Sequence, residues 1–406
     1  MQKTVRDYYG RRYLVGESDR ALLGRSRSWM LSASWVAMLA VGIGQYGYGA
    51  LLPALTHAHG WSWQQGCWVL AVWTVCQGAT VYPAARIRLA PGATLLIGAV
   101  LCATGLLSLS SGDFVAVLAS HALLGGAGAG LVYGTCLGVV SRWYPERPRT
   151  ALVSGAFAYG SVPFLALAAS PGTVWPTAAV AVLLLTGAGA AVLRNPPENW
   201  WPGHIDPKTW ALDKTVNPSL RHNRPPVRQY SVGEVVRCPV SRLLYLAVAC
   251  AAAVALFDVA YLAASSGLLA AVVFACGSGI ARGGAGWVGA RSGRSRVLCG
   301  ALLTGGSAQF LILVSPLTGA CLAGTAIGAC YALLPGVVEG HFGERLGLPN
   351  FGLFYGAKAA GGLIGVLFAA FLGAAGFFAA GVLGVVAAHL VVALRQPGRP
   401  PRLVEC

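Results

Sequence analysis

Arg282 and Lys358 are basic side chains set inside long apolar stretches, while the remaining Lys and Arg fall in polar segments. A cation in hydrocarbon costs roughly 2.5–3.5 kcal/mol even on insertion scales, and it is kept only where it faces a protein interior or a watery cavity and has something to bind. Arg offers a planar fork that meets a carboxylate through two parallel hydrogen bonds; Lys offers a compact point charge. Two such cations point to an anion pathway. Each lies about seven residues from one end of its apolar stretch, which at ~1.5 Å per helical residue places both about 10 Å deep, at matching levels. One level suits an anion with one or two carboxylates.

The elements that must hold these residues are membrane helices. The 406-residue chain is 56% hydrophobic and only 10% charged, against roughly 25% charged residues in soluble domains. Its 55 glycines suit helices that pack closely in lipid. The net charge of +16 sits in loops and termini, as the positive-inside bias requires, so it is read as topology and not as a nucleic-acid surface. The eleven cysteines include no CxxC pair or metal-ligand spacing, so packing is their expected role and no metal or other cofactor is implied. Lys supplies only four of the 29 basic residues, a bias typical of GC-rich bacterial genomes. Residues 1–28 are polar and basic, without the short apolar core of a cleaved signal peptide.

A span needs about 20 apolar residues. Twelve are expected, near 30–53, 64–84, 93–111, 114–141, 151–169, 174–193, 243–263, 266–289, 297–315, 317–340, 351–372 and 377–394. The basic residues then all face one side, from Lys3 through Arg27 to the tail 395–406. The expected organisation is an all-α polytopic membrane protein with a cytoplasmic segment 1–29, a six-helix half 30–193, a cytoplasmic linker 194–242, a second six-helix half 243–394 and a cytoplasmic tail 395–406. Both termini are placed inside, in a bacterial plasma membrane.

The halves echo each other. Tyr133 is followed by Gly138-Val139-Val140, Tyr144, Glu146 and Arg147; Tyr331 is followed at the same offsets by Gly336-Val337-Val338, Phe342, Glu344 and Arg345. After a two-residue slip, Tyr159-Gly160 matches Tyr355-Gly356. Agreement across a whole helix and its following loop indicates duplication. Two parallel halves of six spans joined by a basic loop are the architecture of the major facilitator superfamily, whose carriers bind substrate near mid-membrane between the halves.

Several stretches resemble the oxalate:formate antiporter branch of that superfamily: GVVSRWYPERPR (138–149), GAFAYGSVPF (155–164), RNPPENWWP (194–202), RQYSVGEVVR (228–237) and FGLFYGAKAAGG (351–362). In that family an Arg of the eighth span and a Lys of the eleventh bind the carboxylate, which here implies Arg282 and Lys358. The aromatic lining implied by the resemblance falls on Tyr46, Tyr48, Tyr331 and Tyr355. Gln45 and Gln77 are polar residues within spans that hydrogen-bond either neighbouring helices, the favoured reading, or substrate, with Gln45 counted among the candidate substrate ligands. The loop Gly286 to Arg294 resembles the superfamily's GxxxDRxGR latch, with Ala290 where Asp is usual; Arg291 and Arg294, and Arg86 in the more degraded first-half copy, are its candidate gating residues.

The expected function is exchange of small mono- or dicarboxylates by alternating access, by a monomer whose partners are the substrate and the bilayer. Two alternatives remain at this point. One is a proton-coupled carboxylate symporter, with Asp258 as the titrating group. The other is a non-transporting membrane sensor or scaffold. Asp258, towards the outer third of the seventh span, is expected at the interface, and His121, near the outer end of the fourth, is expected to be a packed or interfacial histidine. No nucleophile–base pairing is present in the spans, so an enzyme is not expected and no catalytic residue is assigned.

Overall fold

In lipid, a backbone finds hydrogen-bond partners only within itself, so apolar stretches of this length fold as helices. The computed structural model describes residues 3–86, 89–147, 149–160, 162–165, 171–343 and 347–398. We label its membrane-domain helices α1 (Ser28–His59), α2 (Trp63–Ala84), α3 (Pro91–Ser108), α4 (Phe114–Trp143), α5 (Arg149–Tyr159), α6 (Gly172–Val192), α7 (Pro239–Ser266), α8 (Leu268–Ser292), α9 (Arg294–Val314), α10 (Pro316–Phe342), α11 (Pro349–Phe371) and α12 (Gly373–Val392). Among the described residues ten are long and apolar enough to cross a membrane, against the twelve expected. The other two are α2, whose 22 residues include three glutamines, and α5, which is followed by a short turn of helix at Val162–Leu165. Residues 166–169 of the expected fifth span lie outside the described residues.

The pairing of helices repeats. Within the first six, α1 packs on α4, α5 and α6, α2 on α4, and α3 on α4 and α6. Adding six to each number gives the contacts of the second six, where α7 packs on α10, α11 and α12, α8 on α10, and α9 on α10 and α12. The contacts across the two halves, α2 with α11, α5 with α8 and α1 with α7, follow the same exchange. This is the all-α major facilitator fold with pseudo-symmetric halves. The seventh and eighth helices are joined by one residue, Gly267, at φ +84°, a conformation open to glycine but costly for residues with a Cβ. On α11, Gly361 and Gly365 face α7 so closely that a Cβ on either would overlap the carbonyl oxygen of Ala249 or Ala253. Small residues four apart let helix backbones meet in this way.

Helices break where the chain must offer polar groups. A 3₁₀ turn at Gly42–Gly44 interrupts α1 immediately before Gln45 and Tyr46. The turn at Gly356 separates Tyr355 from the helical run that begins at Ala357. Its counterpart, Gly160, ends α5 after Tyr159. The repeated Tyr-Gly pair therefore marks the same interruption in both halves.

Outside the membrane the all-α expectation needs one correction. Lys3–Arg6 and Arg12–Val15 form an antiparallel hairpin. The β-branched and aromatic residues Thr4, Val5, Tyr13 and Val15 favour strands here, and Asp7 closes the turn by accepting from the Tyr9 and Arg11 amides. Leu14 also bridges to Trp200, so the hairpin docks on the start of the linker. The later linker docks on the second half: Tyr230 N–H donates to Phe342 O, and Asn223 holds Gly289 O and Ala290 O. There, the Ser231 amide and hydroxyl hold the Glu234 carboxyl below its ordinary range.

The YPERPR loop of the first half is anchored by a nearly buried ion pair. Arg27 Nη2 lies 2.7 Å from Glu146 Oε1, and the guanidinium also donates to Trp143 O and covers the Tyr144 ring at 4.4 Å. Breaking a fully buried pair costs about 3–5 kcal/mol. Arg27 retains some solvent, so Glu146→Gln is expected to cost about 2 kcal/mol, read as a lowered melting midpoint of the detergent-purified protein.

Candidate functional site

Lys358 and Arg282 are 1% and 2% exposed, and they reach one tyrosine cluster, Lys358 through Tyr355 and Arg282 through Tyr331, whose rings lie 6.2 Å apart. The break at Gly356 brings Tyr355 and Lys358 together on α11, and the close approach of α2 at Gly78 to Ala359 brings Gln77 against them. Lys358 Nζ donates to Gln45 Oε1 at 2.5 Å and to Gln77 Oε1 at 2.8 Å, with Tyr355 OH at 3.5 Å. The Trp73 and Phe157 rings lie 6.0 and 5.7 Å away, within cation–π range.

Arg282 ties three helices. Its Nη1 donates to Ser154 O on α5 at 2.8 Å and its Nη2 to Tyr46 OH on α1 at 2.9 Å. Its carbon Cζ sits 4.8 Å above the Tyr331 ring from α10. The Tyr355 ring stacks on Tyr133 at 4.7 Å and lies 6.2 Å from Tyr331. Neither cation has a carboxylate partner among the described residues. Arg282 Nε and Tyr331 OH are buried with no hydrogen-bond partner. An unsatisfied buried donor costs about 1–3 kcal/mol, more when charged, so the arrangement is built to meet an acceptor.

Of the residues expected to bind substrate, the structure brings together Arg282, Lys358, Tyr355, Tyr331, Tyr46 and Gln45. Tyr48 is not among them. Its hydroxyl donates to Gly66 O at 2.9 Å and its ring stacks on His121 at 5.2 Å, inside the first half. Residues two apart on a helix point about 200° apart, so Tyr46 and Tyr48 cannot both face the same cavity. Gln77, expected to bond helices or substrate, is in the cluster as well, and Ser154, Tyr133, Trp73 and Phe157 join it without having been assigned to it. Tyr133 was marked by the repeat, whereas Ser154 acts through its carbonyl, which leaves no trace in sequence.

One other expectation changes. Asp258, expected at the surface, is fully buried; Gln309 Nε2 donates to its Oδ2 at 3.0 Å and Oδ1 has no partner. His121 is a packed histidine, buried in a π-helical segment at Leu118–Gly125. At the candidate latch, Arg291 covers the Trp287 ring at 3.9 Å, Arg294 donates to Gly336 O at 2.9 Å and Arg86 covers Tyr82 at 5.3 Å. None meets a carboxylate among the described residues. Asn223 of the linker accepts from Arg294 N, tying the loop that lacks the usual Asp. Arg88, Glu344 and Arg345 lie outside the described residues.

The fold is shared with solved transporters. The human organic anion transporter MFSD10 aligns at TM-score 0.61 and 18% identity, over 90% of this chain and 100% of its own. The transporter FucP in its outward conformation aligns at TM-score 0.63 and 15% identity, over 91% and 99%. The E. coli fucose:proton symporter FucP gives TM-score 0.61 at 15% identity, over 91% and 98%. No curated protein matches the sequence. Residues 34–265, more than half of the chain, match the family model of the Major Facilitator Superfamily, and the protein belongs to that superfamily.

Proposed function

We propose that the protein is a secondary carrier of small organic anions, a mono- or dicarboxylate exchanger like the oxalate:formate antiporters it resembles, with its seat at Arg282 and Lys358. The observation that carries this reading is the pair of buried cations with no carboxylate partner, Arg282 Nε being left without any partner at all. A carboxylate placed there would meet the unused guanidinium N–H, the ammonium and phenol hydroxyls. That a structural neighbour is an organic anion transporter agrees with this choice. In the same reading the halves are 30–193 and 243–394, joined by a cytoplasmic linker 194–242. Segments 1–29 and 395–406 are cytoplasmic, a monomer is the working unit, and Arg86, Arg291 and Arg294 belong to loops that move as the halves rock in a bacterial plasma membrane.

Exchange follows from electrostatics. A carrier that closes without an anion must occlude two uncompensated charges, and an unpaired buried charge is strongly unfavourable. A loaded carrier is spared most of that cost. Proteoliposomes filled with unlabelled oxalate are therefore expected to take up labelled oxalate at least ~10-fold faster than unfilled ones, since 1.4 kcal/mol already gives a factor of ten. Equal rates would remove obligatory exchange from the account.

One observation favours a second reading, proton symport. Asp258 is a fully buried carboxyl whose Oδ1 lacks a partner, and a proton on it would remove an uncompensated buried charge. Uptake driven by external acid in the native protein and lost in Asp258→Asn would favour it. Acid-independent exchange in both proteins would set it aside.

A further inference from the structure

Gln77 lies on α2, fully buried, and touches two residues of the seat at once. Its Oε1 accepts from Lys358 Nζ at 2.8 Å, and its Nε2 donates to Tyr355 OH at 3.2 Å. An ammonium has three donors and no acceptor. The amide oxygen must therefore face Lys358, because a flipped amide would set two donors against each other. With the oxygen fixed, Nε2 is fixed on the Tyr355 oxygen. That oxygen also faces Lys358 Nζ, so the phenol hydrogen has donors on two sides and must turn elsewhere.

The same logic runs around the rest of the cluster. Ser154 O and Tyr46 OH accept from Arg282, and Gln45 and Gln77 oxygens accept from Lys358. Each of these acceptors is engaged by a cation. What remains includes donors: Arg282 Nε–H and the Tyr331 hydroxyl, neither of which has a partner, and the hydroxyl hydrogen of Tyr46. A fully ionised carboxylate is acceptor-only and suits such a seat. A protonated acid or a primary amide brings a hydrogen that needs an acceptor.

We propose that Gln77 is a specificity-determining positioning residue. By locking the Lys358 ammonium and occupying the Tyr355 oxygen, it keeps the seat short of free acceptors, so the carrier selects fully ionised carboxylates over analogues that carry a donor. This rests on the anion-carrier reading above. Nothing in it requires Gln77 to touch the substrate, and the residue acts through Lys358 and Tyr355.

The test compares oxalate with oxamate, which replaces one carboxylate by an amide. Initial uptake is measured in proteoliposomes of the native protein, Gln77→Leu and Gln77→Glu. The native protein is expected to prefer oxalate strongly. Gln77→Leu releases the Tyr355 hydroxyl, so the KM for oxalate should rise roughly tenfold, the worth of one hydrogen bond to a charged group, with little change in maximal rate. The oxalate-to-oxamate preference should fall by at least ~10-fold, because a mispaired donor is what the native seat rejects. Gln77→Glu places a carboxylate on Lys358 in place of the substrate, so uptake of both should be lost while the protein stays folded by size exclusion and melting. A purely structural role would lower maximal rate and leave KM and the preference alone, and that result overturns the proposal. Should Gln77→Leu fail to fold, a folded Gln77→Glu that still transports oxalate at the native KM overturns it equally. A native protein that takes up no small carboxylate at all would sink the anion-carrier reading itself and this proposal with it.

Discussion

Replacing Lys358 with Gln should reduce dicarboxylate exchange by about two orders of magnitude. Removing one partner of a buried, hydrogen-bonded charge pair costs about 2–5 kcal/mol, and 1.4 kcal/mol is tenfold. Lys358 is the more compact of the two charges and is held by Gln45 and Gln77, so its loss removes both the charge and the donor those amides orient. The fold should survive, because a buried cation is a cost and Gln is similar in length. Exchange of labelled oxalate is the readout, with size exclusion and a melting curve as controls. Exchange within twofold of native would take Lys358 out of the seat.

Replacing Arg282 with Lys keeps the charge and should still raise the KM by about 10–100-fold. A guanidinium presents five donors in a planar fork, and this one spends two on Ser154 O and Tyr46 OH while leaving Nε for a ligand. An ammonium on a shorter stem cannot span α1, α5 and the seat together. The contact with Tyr331, 4.8 Å below the guanidinium, would also weaken, since stacking uses the flat face. Measuring KM and maximal rate separately distinguishes lost binding from lost closure. A KM unchanged from native would show that charge alone is read at this position and that the fork is incidental.

Charge and hydropathy were the legible part of the fold. Composition implied membrane helices, and the match of Tyr133 with Tyr331 implied two halves; the contacts of α1 to α6 recur among α7 to α12. The repeat carried finer detail than a helix count, since Gly160 and Gly356 are where two equivalent helices are interrupted. Helix α2 is less apolar than the other long helices because its 22 residues include three glutamines, one of which, Gln77, it carries to Lys358 on α11. The hairpin at Lys3–Arg6 and Arg12–Val15 was missed, as its strands are four residues each and find further partners far away in sequence, at Asn199 to Trp201.

The site was legible where a residue type is anomalous for its surroundings. Arg282 and Lys358 stood out as cations in apolar runs. The aromatics did not, because a tyrosine in a helix packs as readily as it binds; the 100° step of a helix, applied to Tyr46 and Tyr48, separates the one that faces Arg282 from the one that stacks on His121. Gln77 was visible as a buried amide, but its role depends on which atoms face Lys358 and Tyr355. That is set by helices 278 and 281 residues apart in sequence. The Ser154 carbonyl could not have been found from residue identity at all.

The claim on which the rest depends is that Arg282 and Lys358 hold one carboxylate substrate between them. Calorimetric titration of oxalate into the purified native protein, Arg282→Gln, Lys358→Gln and the double variant measures it directly. The account predicts saturable binding to the native protein and a loss of about 10-fold or more in each single variant. It also predicts a double variant little worse than the weaker single one, because cations that share a ligand act as a unit. Native-strength binding in the double variant, or strictly additive losses, would contradict a shared seat.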